Sequence, residues 1–239
     1  MGAILVASAK VDARILALKS NIAMKPLLTY FAVRGRAEAI RVMFEDLGAD
    51  YAERRIAVQE WASVKPTLMF GQLPTYQDDE VFIDQSHAIC RYLARKHDLY
   101  GDNEGERIRC DIVQEAFVDA QNHIGTFCWR PDFHEQRANY EEQQLPSLLD
   151  KLQKLFDLNR SGSGWWVGER ISYVDFLAWH FLEYVRALSP RNLDRFDRLK
   201  ATKLKFEARP RIAAYLQSAR RPATLTVPMA PFGGTPETS

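Results

Sequence analysis

The sequence has little cysteine, no surplus of charge of either sign and no long apolar run, and each shortage removes a class of protein. Only Cys90, Cys110 and Cys128 occur in 239 residues. They are odd in number and widely spaced, and they lack the Cys-x-x-Cys spacing or the neighbouring His cluster that a zinc site needs. A disulfide scaffold is therefore not indicated, and a reducing, cytoplasmic setting is expected. The five histidines are scattered, which leaves no ligand set for a metal. Lys and Arg number 32 against 31 Asp and Glu, so no global field draws the chain to nucleic acid or to an anionic membrane. Charged residues interrupt each apolar stretch before it reaches the roughly 18 residues of a membrane span, so no span is expected. What is present is 46% hydrophobic residues, enough for the cores of one large domain or two small ones.

Residues 1–23 precede a second methionine, Met24, after which a strand-like pattern begins, so the functional domain is expected to start there. Val11, Ile15, Leu18 and Ile22 would share one helical face, with Lys10, Asp12, Arg14 and Lys19 elsewhere, so a short amphipathic helix is an option. A single Arg, an acid and the lack of a clear signal-peptide cleavage region favour a dispensable extension over an organelle-targeting segment.

From Met24 the pattern reads strand (25–31), helix (36–48, stopped by Gly48) and a weakly alternating strand (51–56). An irregular stretch (58–72) follows, then two short strands (74–78 and 80–84) turning at Asp78-Asp79, and a closing helix (86–96). The order βαβ then ββα, with a right-handed first crossover, is a thioredoxin-like α/β domain over 24–101. Past the linker Asp102 to Gly105 the chain reads as helix throughout: 106–127, about 134–158, 173–187 and about 209–219. The expected fold is thus a mixed four-stranded sheet with helices, followed by an all-α domain over 106–221. The tail, 222–239, has Pro, Gly and Thr without periodicity and is expected to strap the surface and end in disorder.

Four motifs carry a family resemblance: TYFAVRGRAEAIR (29–41), FGQLP (70–74), DQSHAICRYLARK (84–96) and GERISYVDF (168–176). Together, collinear from about Met24 to Pro222, they resemble the pi and sigma classes of cytosolic glutathione transferases. The resemblance implies conjugation of reduced glutathione, as co-substrate and without a metal, to a small hydrophobic electrophile by a homodimeric detoxification enzyme.

Tyr30 falls at the carboxyl end of the first strand, where ligands gather in open α/β sheets. Alone, a Tyr there is an ordinary half-buried packing residue. By resemblance its phenol O–H donates to the glutathione sulfur and favours thiolate over thiol. A thiol of pKa near 8.5 is about 3% ionised at pH 7, and lowering it by about two units makes it roughly three-quarters ionised. That shift needs about 2.7 kcal/mol, within reach of one charge-assisted hydrogen bond (about 1.5–3 kcal/mol) helped by the domain's electrostatics.

The other site assignments are likewise implied by the resemblance. Gln72, Leu73 and Pro74 present a backbone edge to the peptide, with the Leu73-Pro74 bond cis as in the family. Gln85 and Ser86 open a helix, where a cap and an anion site share one geometry, and would receive the γ-glutamyl carboxylate. Trp61 and Lys65 would meet the glycyl end, Arg36 would lie at the glutamyl end, and Asp119 of the neighbouring subunit would reach the glutathione amine. Phe31, Val33 and Trp129 would border the acceptor site. Phe70 resembles the aromatic key inserted into a partner subunit, while Ser172-x-x-Asp175 reads as a capping arrangement that serves folding.

The pattern departs from both classes. Ala32 stands where pi members usually have Pro, and the step from Trp61 to Gln72 fits sigma, whereas FGQLP favours pi. Sigma likeness admits a prostaglandin-type isomerase, and pi likeness favours aryl halides and alkenals. A non-catalytic carrier of apolar ligands on the same fold is the alternative from another class. The short step from Trp129 to His134 argues against the lens-crystallin form of it. A thiol-disulfide oxidoreductase would want a Cys where Arg34-Gly35-Arg36 stands.

Overall fold

Alternation of buried and half-buried side chains along LLTYF makes Leu27–Phe31 a strand, β1, with Leu28 and Tyr30 turned into the core. The computed structural model describes residues 24–159, 162 and 164–235. The expected extension with its amphipathic helix, and the expected disordered end at 236–239, lie outside the described residues.

After β1 a 3-10 turn, Gly35–Ala37, runs into helix α1, Glu38–Leu47. The helix ends where Gly48 takes φ 62, a left-handed conformation that glycine adopts without a Cβ clash. β2, Ala52–Ile56, then pairs parallel to β1 with Tyr30 opposite Arg55. The stretch expected to be irregular holds a one-turn helix, α2 (Trp61–Val64), between 3-10 turns at Val58–Glu60 and Lys65–Thr67. β3, Thr75–Gln77, runs antiparallel to β1, and β4, Phe82–Asp84, antiparallel to β3, giving the order β2-β1-β3-β4. Their turn is closed by Asp78, whose carboxylate accepts the N–H groups of Glu80 (2.9 Å) and Val81 (3.0 Å). Helix α3 spans Ser86–Lys96.

The second half is helical. α4 is Glu104–Cys128, two residues earlier than the apolar pattern indicates, because the Asn103 side chain caps it by accepting the Glu106 N–H at 3.0 Å. The single helix expected over about 134–158 is instead α5 (Phe133–Asn139), a π turn (Tyr140–Gln144) and α6 (Leu145–Asp157). Pro146 explains the break, since it has no N–H to continue the ladder and its ring crowds the carbonyl four residues back. α7, Tyr173–Leu188, is buried nearly all round and forms the axis of this half. Asp175 fixes its start by accepting from the Ser172 N–H (2.8 Å), the Ser172 hydroxyl (3.0 Å) and the Trp166 N–H (2.9 Å). Two further helices, α8 (Pro190–Asp194) and α9 (Asp197–Glu207), precede α10 (Pro210–Leu216). The sequence reading lacks α8 and α9. The buried stripe of α9 is Leu199, Thr202, Lys203 and Phe206, half of it polar and therefore invisible to apolar periodicity.

The halves meet where α1 packs on α7 and α10, across a buried ion-pair network. Arg41, fully buried, donates to Glu38 (3.0 Å) and Glu53 (2.7 Å). Glu38 also takes Arg221 (3.1 Å), which reaches Glu183 at 2.5 Å, and Glu183 in turn holds Lys203 at 2.7 Å. Burial pushes the Glu183 carboxyl up, but Lys203 and Arg221 outweigh it and hold it down to about 2. An acid depressed below its ordinary 4.5 stabilises the fold in full above that value and loses the contribution as pH falls toward 2. The unfolding free energy read from urea curves is therefore expected to drop between pH 4.5 and 2 by an amount that includes on the order of 3 kcal/mol from this group. Glu183→Gln is expected to be less stable at pH 7 but to decline less steeply in acid. An equally steep acid decline in the variant would exclude Glu183 as the source.

Candidate active site

Tyr30 ends β1 with its ring buried, and the chain immediately turns back over it. The backbone N–H of Arg36 donates to the Tyr30 hydroxyl oxygen at 3.0 Å. This approach depends on Gly35, which sits at φ 38 and where a Cβ would fall 2.4 Å from the hydroxyl oxygen. Arg41 holds the loop from below, donating to the carbonyls of Val33 (2.9 Å) and Arg34 (3.1 Å), with its guanidinium 5.8 Å from the Tyr30 ring centre. Burial pushes the Tyr30 phenol up, against the opposing pull of the Arg36 N–H and the charges of Arg36 and Arg41. The phenol therefore keeps its proton at neutral pH. One lone pair is taken, and its O–H remains free to donate.

The segment after α10 completes the loop. Arg34 N–H donates to Thr224 O and Gly35 N–H to Leu225 O, both at 2.8 Å, while the Arg34 side chain reaches Ala223 O at 2.7 Å. The strap expected over the surface is thus partly core, with Leu225 and Phe232 fully buried. Its aperiodic composition conceals this, because the backbone of the Tyr30 loop, not an apolar stripe, is its main partner.

Between the loop, the C-terminal half of α4, α7 and the strap lies a cavity of about 520 Å³. Tyr30, Phe31, Val33 and Arg36 line it from the first half, and Trp129, 50% exposed at the end of α4, lines it from the second. The structure adds His180 and Tyr184 from α7 and Thr226 and Val227 from the strap, none of them singled out from sequence. His180 and Tyr184 stand four apart on one face of α7, and that spacing was the available signal.

The remaining expected contacts do not line this cavity. Trp61 meets Phe31 edge to face, centroids 5.3 Å apart. Lys65 is exposed and lies against Gly71. The Leu73-Pro74 bond is cis, and Leu73 makes no backbone hydrogen bond among the described residues. Gln85 donates to Gln72 at 2.9 Å, which brings those two together. Gln85 also takes φ 69, a strained value for a residue with a Cβ, just before the buried Ser86 opens α3. Asp119 is exposed and borders a separate cavity of about 460 Å³ on the adjoining face of α4. Phe70 projects from its loop, 58% exposed. The three cysteines are free and buried, and burial pushes each thiol up to about 12, so none is a reactive thiolate. Among the described residues no group of His, Cys, Asp or Glu is arranged to hold a metal ion, and no helix is long and apolar enough to cross a membrane.

Residues 26–95 match the family model of the glutathione S-transferase N-terminal domain, and residues 118–219 that of the C-terminal domain. The chain is 38% identical over 207 residues to glutathione S-transferase Mu 4 of Mus musculus, covering 82% of this chain and 93% of that one. It is 37% identical over 202 residues to glutathione S-transferase Mu 3 of Homo sapiens, covering 80% and 88%. Among solved structures it is similar to the Pi-class glutathione S-transferase of Onchocerca volvulus, with TM-score 0.78, 34% identity and coverage of 81% and 93%. The spacing of the motifs points to pi and sigma, whereas these curated relatives carry the Mu name.

Proposed function

Because the chain belongs to the glutathione S-transferases and is a glutathione-conjugating enzyme, we propose that Tyr30 is the residue that holds the bound thiol as thiolate. The observation that carries this is the hydroxyl of Tyr30, which accepts from Arg36 N–H at 3.0 Å and keeps its own proton to donate into the cavity it lines. In a site where that donor is fixed beforehand, the hydrogen bond strengthens with the charge on sulfur and favours the ionised thiol. The thiolate lone pair then attacks an electrophilic carbon held against Phe31, Val33 and Trp129, and either the leaving group departs with its bonding pair or the π pair shifts onto the neighbouring substrate atoms, which take up the proton released by the thiol.

The peptide would lie along Leu73, whose backbone groups have no partner among the described residues, and Pro74. Its γ-glutamyl carboxylate would meet the Ser86 end of α3 beside Gln85 and Gln72, with Arg36 nearby, and its glycyl end would meet Trp61 and Lys65. The free buried thiols fit a reducing, cytoplasmic setting. The named relatives are transferases, which does not favour a prostaglandin-type isomerase or a non-catalytic carrier.

We read the active form as a homodimer, with Phe70 as the inserted aromatic and Asp119 reaching the partner's glutathione. Exposed Phe70 beside exposed Met69 supports this, since adjacent large apolar side chains are costly to leave in water. Phe70→Ser is expected to shift the sedimentation equilibrium toward monomer by at least about tenfold in dissociation constant. An unchanged constant would remove Phe70 from the interface.

The functional test pairs calorimetric titration of glutathione with turnover of a chromogenic aryl halide and an electrophile panel. Binding with conjugation supports the assignment of the site. Binding without turnover on the whole panel supports the carrier.

A further inference from the structure

Val33, Gly35 and Arg36 line the acceptor cavity, whereas Arg34 in their midst lines a different one. That cavity, of about 820 Å³, lies between α7, α9 and α10 and shares no lining residue with the acceptor cavity. The proposed mechanism makes no use of it. Four cations line it, Arg34, Arg186, Lys203 and Arg221, against two carboxylates, Glu183 and Glu207.

Lys203 is fully engaged, since it pairs with both carboxylates. The guanidinium groups are not. Arg221 gives Nε to Glu38 and Nη2 to Glu183, and Arg34 gives Nη2 to Ala223 O at 2.7 Å. In each, Nη1 makes no hydrogen bond with a described residue, and neither Nη1 is sealed from solvent, in contrast to the Arg34 Nε. The Arg34 Nη1 has Glu183 Oε2 at 3.8 Å, an oxygen that Arg221 already holds at 2.5 Å. The two cations thus crowd one carboxylate oxygen. Burial, and then the neighbouring Arg221 charge, push the Arg34 guanidinium down from its ordinary range. Arg186, exposed near the end of α7, has neither a hydrogen bond nor a carboxylate partner among the described residues.

Two adjacent guanidinium groups with accessible donors left over, in a wall with two more positive than negative charges, lack an anion. The surplus suits a dianion. Its oxygens have to serve Arg34, Arg221 and Arg186 at once, which a tetrahedral group with three free oxygens does better than a planar carboxylate with two. Ala187, Leu204 and Leu216 belong to the same wall and give an organic body an apolar surface to lie on. We propose that this cavity is a binding site for a phosphomonoester dianion, its phosphate bridging Arg34 and Arg221 with Arg186 at the mouth. The site stands apart from the conjugation chemistry and does not depend on the role of Tyr30.

The experiment is calorimetric titration of the full chain with phenyl phosphate at about pH 8, above the second phosphate pKa of about 6. S-hexylglutathione is present at saturation, so that the glutathione and acceptor sites are filled. One site per chain with a dissociation constant below about 1 mM is expected. Phenyl sulfate, of the same shape but a single charge, is expected to bind at least about tenfold more weakly, and inorganic phosphate, without the ring, at least about fivefold. Arg186→Glu reverses an exposed charge outside the ion-pair network and is expected to weaken phenyl phosphate at least about tenfold, with its melting temperature confirming the fold. Arg34→Lys keeps the charge but not the fork and is expected to weaken it about as much. No binding by wild type, or binding only when S-hexylglutathione is left out, overturns the site. Phenyl sulfate as tight as phenyl phosphate overturns the dianion, and inorganic phosphate as tight overturns the ester. A constant within about twofold of wild type in folded Arg186→Glu overturns the placement. The comparisons among ligands need only the wild type, so they decide the matter even if Arg34→Lys fails to fold.

Discussion

Tyr30→Phe is expected to lose about 25-fold in kcat/KM at pH 7 and less than about twofold near pH 9. The phenylalanine keeps the ring that packs beside Phe31 but removes the hydroxyl proposed to donate to the sulfur. Without it the bound thiol returns toward its ordinary pKa near 8.5, and the thiolate fraction at pH 7 falls from roughly three-quarters to about 3%. At pH 9 the thiol ionises unaided, so the two enzymes converge. Burial keeps the Tyr30 phenol protonated through this window, which leaves the titration to the thiol. The measurement is kcat/KM against pH for both forms, together with glutathione affinity by calorimetry. A loss of the same size at every pH would mean that Tyr30 positions the substrate without setting its ionisation.

Arg41→Ala is expected to destabilise the fold by about 3–5 kcal/mol, the usual consequence of removing one partner from a buried ion pair. Glu38, fully buried, would keep Arg221 as its one remaining cation. Glu53 would keep only Arg55, at 2.8 Å on the outer side. The carbonyls of Val33 and Arg34 would lose their donor, freeing the loop that sets Arg36 N–H against Tyr30. Melting temperature is expected to fall by roughly 10 °C, and activity below the melt to fall with it. Arg220→Ala serves as the control. Arg220 pairs with Glu45 at 2.6 Å but is largely exposed, so its loss is expected to cost no more than about 1 kcal/mol. Equal losses in the two variants would exclude the buried network as the support of the loop.

The share of this molecule legible in its sequence follows from how local each signal is. β1 and α3 were readable because each writes its buried face into a period of two or of three to four residues, while α1 and α7, buried over most of their surface, were marked by Gly48 at a helix end and Asp175 at a helix start. The Tyr30 loop and the Gln72–Pro74 and Gln85–Ser86 elements were readable because their residues are neighbours in the chain. α9 was not, since Lys203 is buried only through Glu183 and Glu207, residues that lie on two different helices.

What tertiary structure alone decided is the cavity's far side. Residues 224–225 supply the carbonyls for Arg34 and Gly35 across some 190 positions of sequence, a partnership made of backbone groups and so without a side-chain signature. His180 reads as one of several polar residues of α7, beside Asp175, Glu183 and Arg186, until folding brings Trp129, Thr226 and Tyr30 around the same space. Sequence by itself determined the chemistry, because the donor and its immediate supports are coded within a dozen residues. The shape and polarity of the acceptor site depend on which distant segments meet, and only packing decides that.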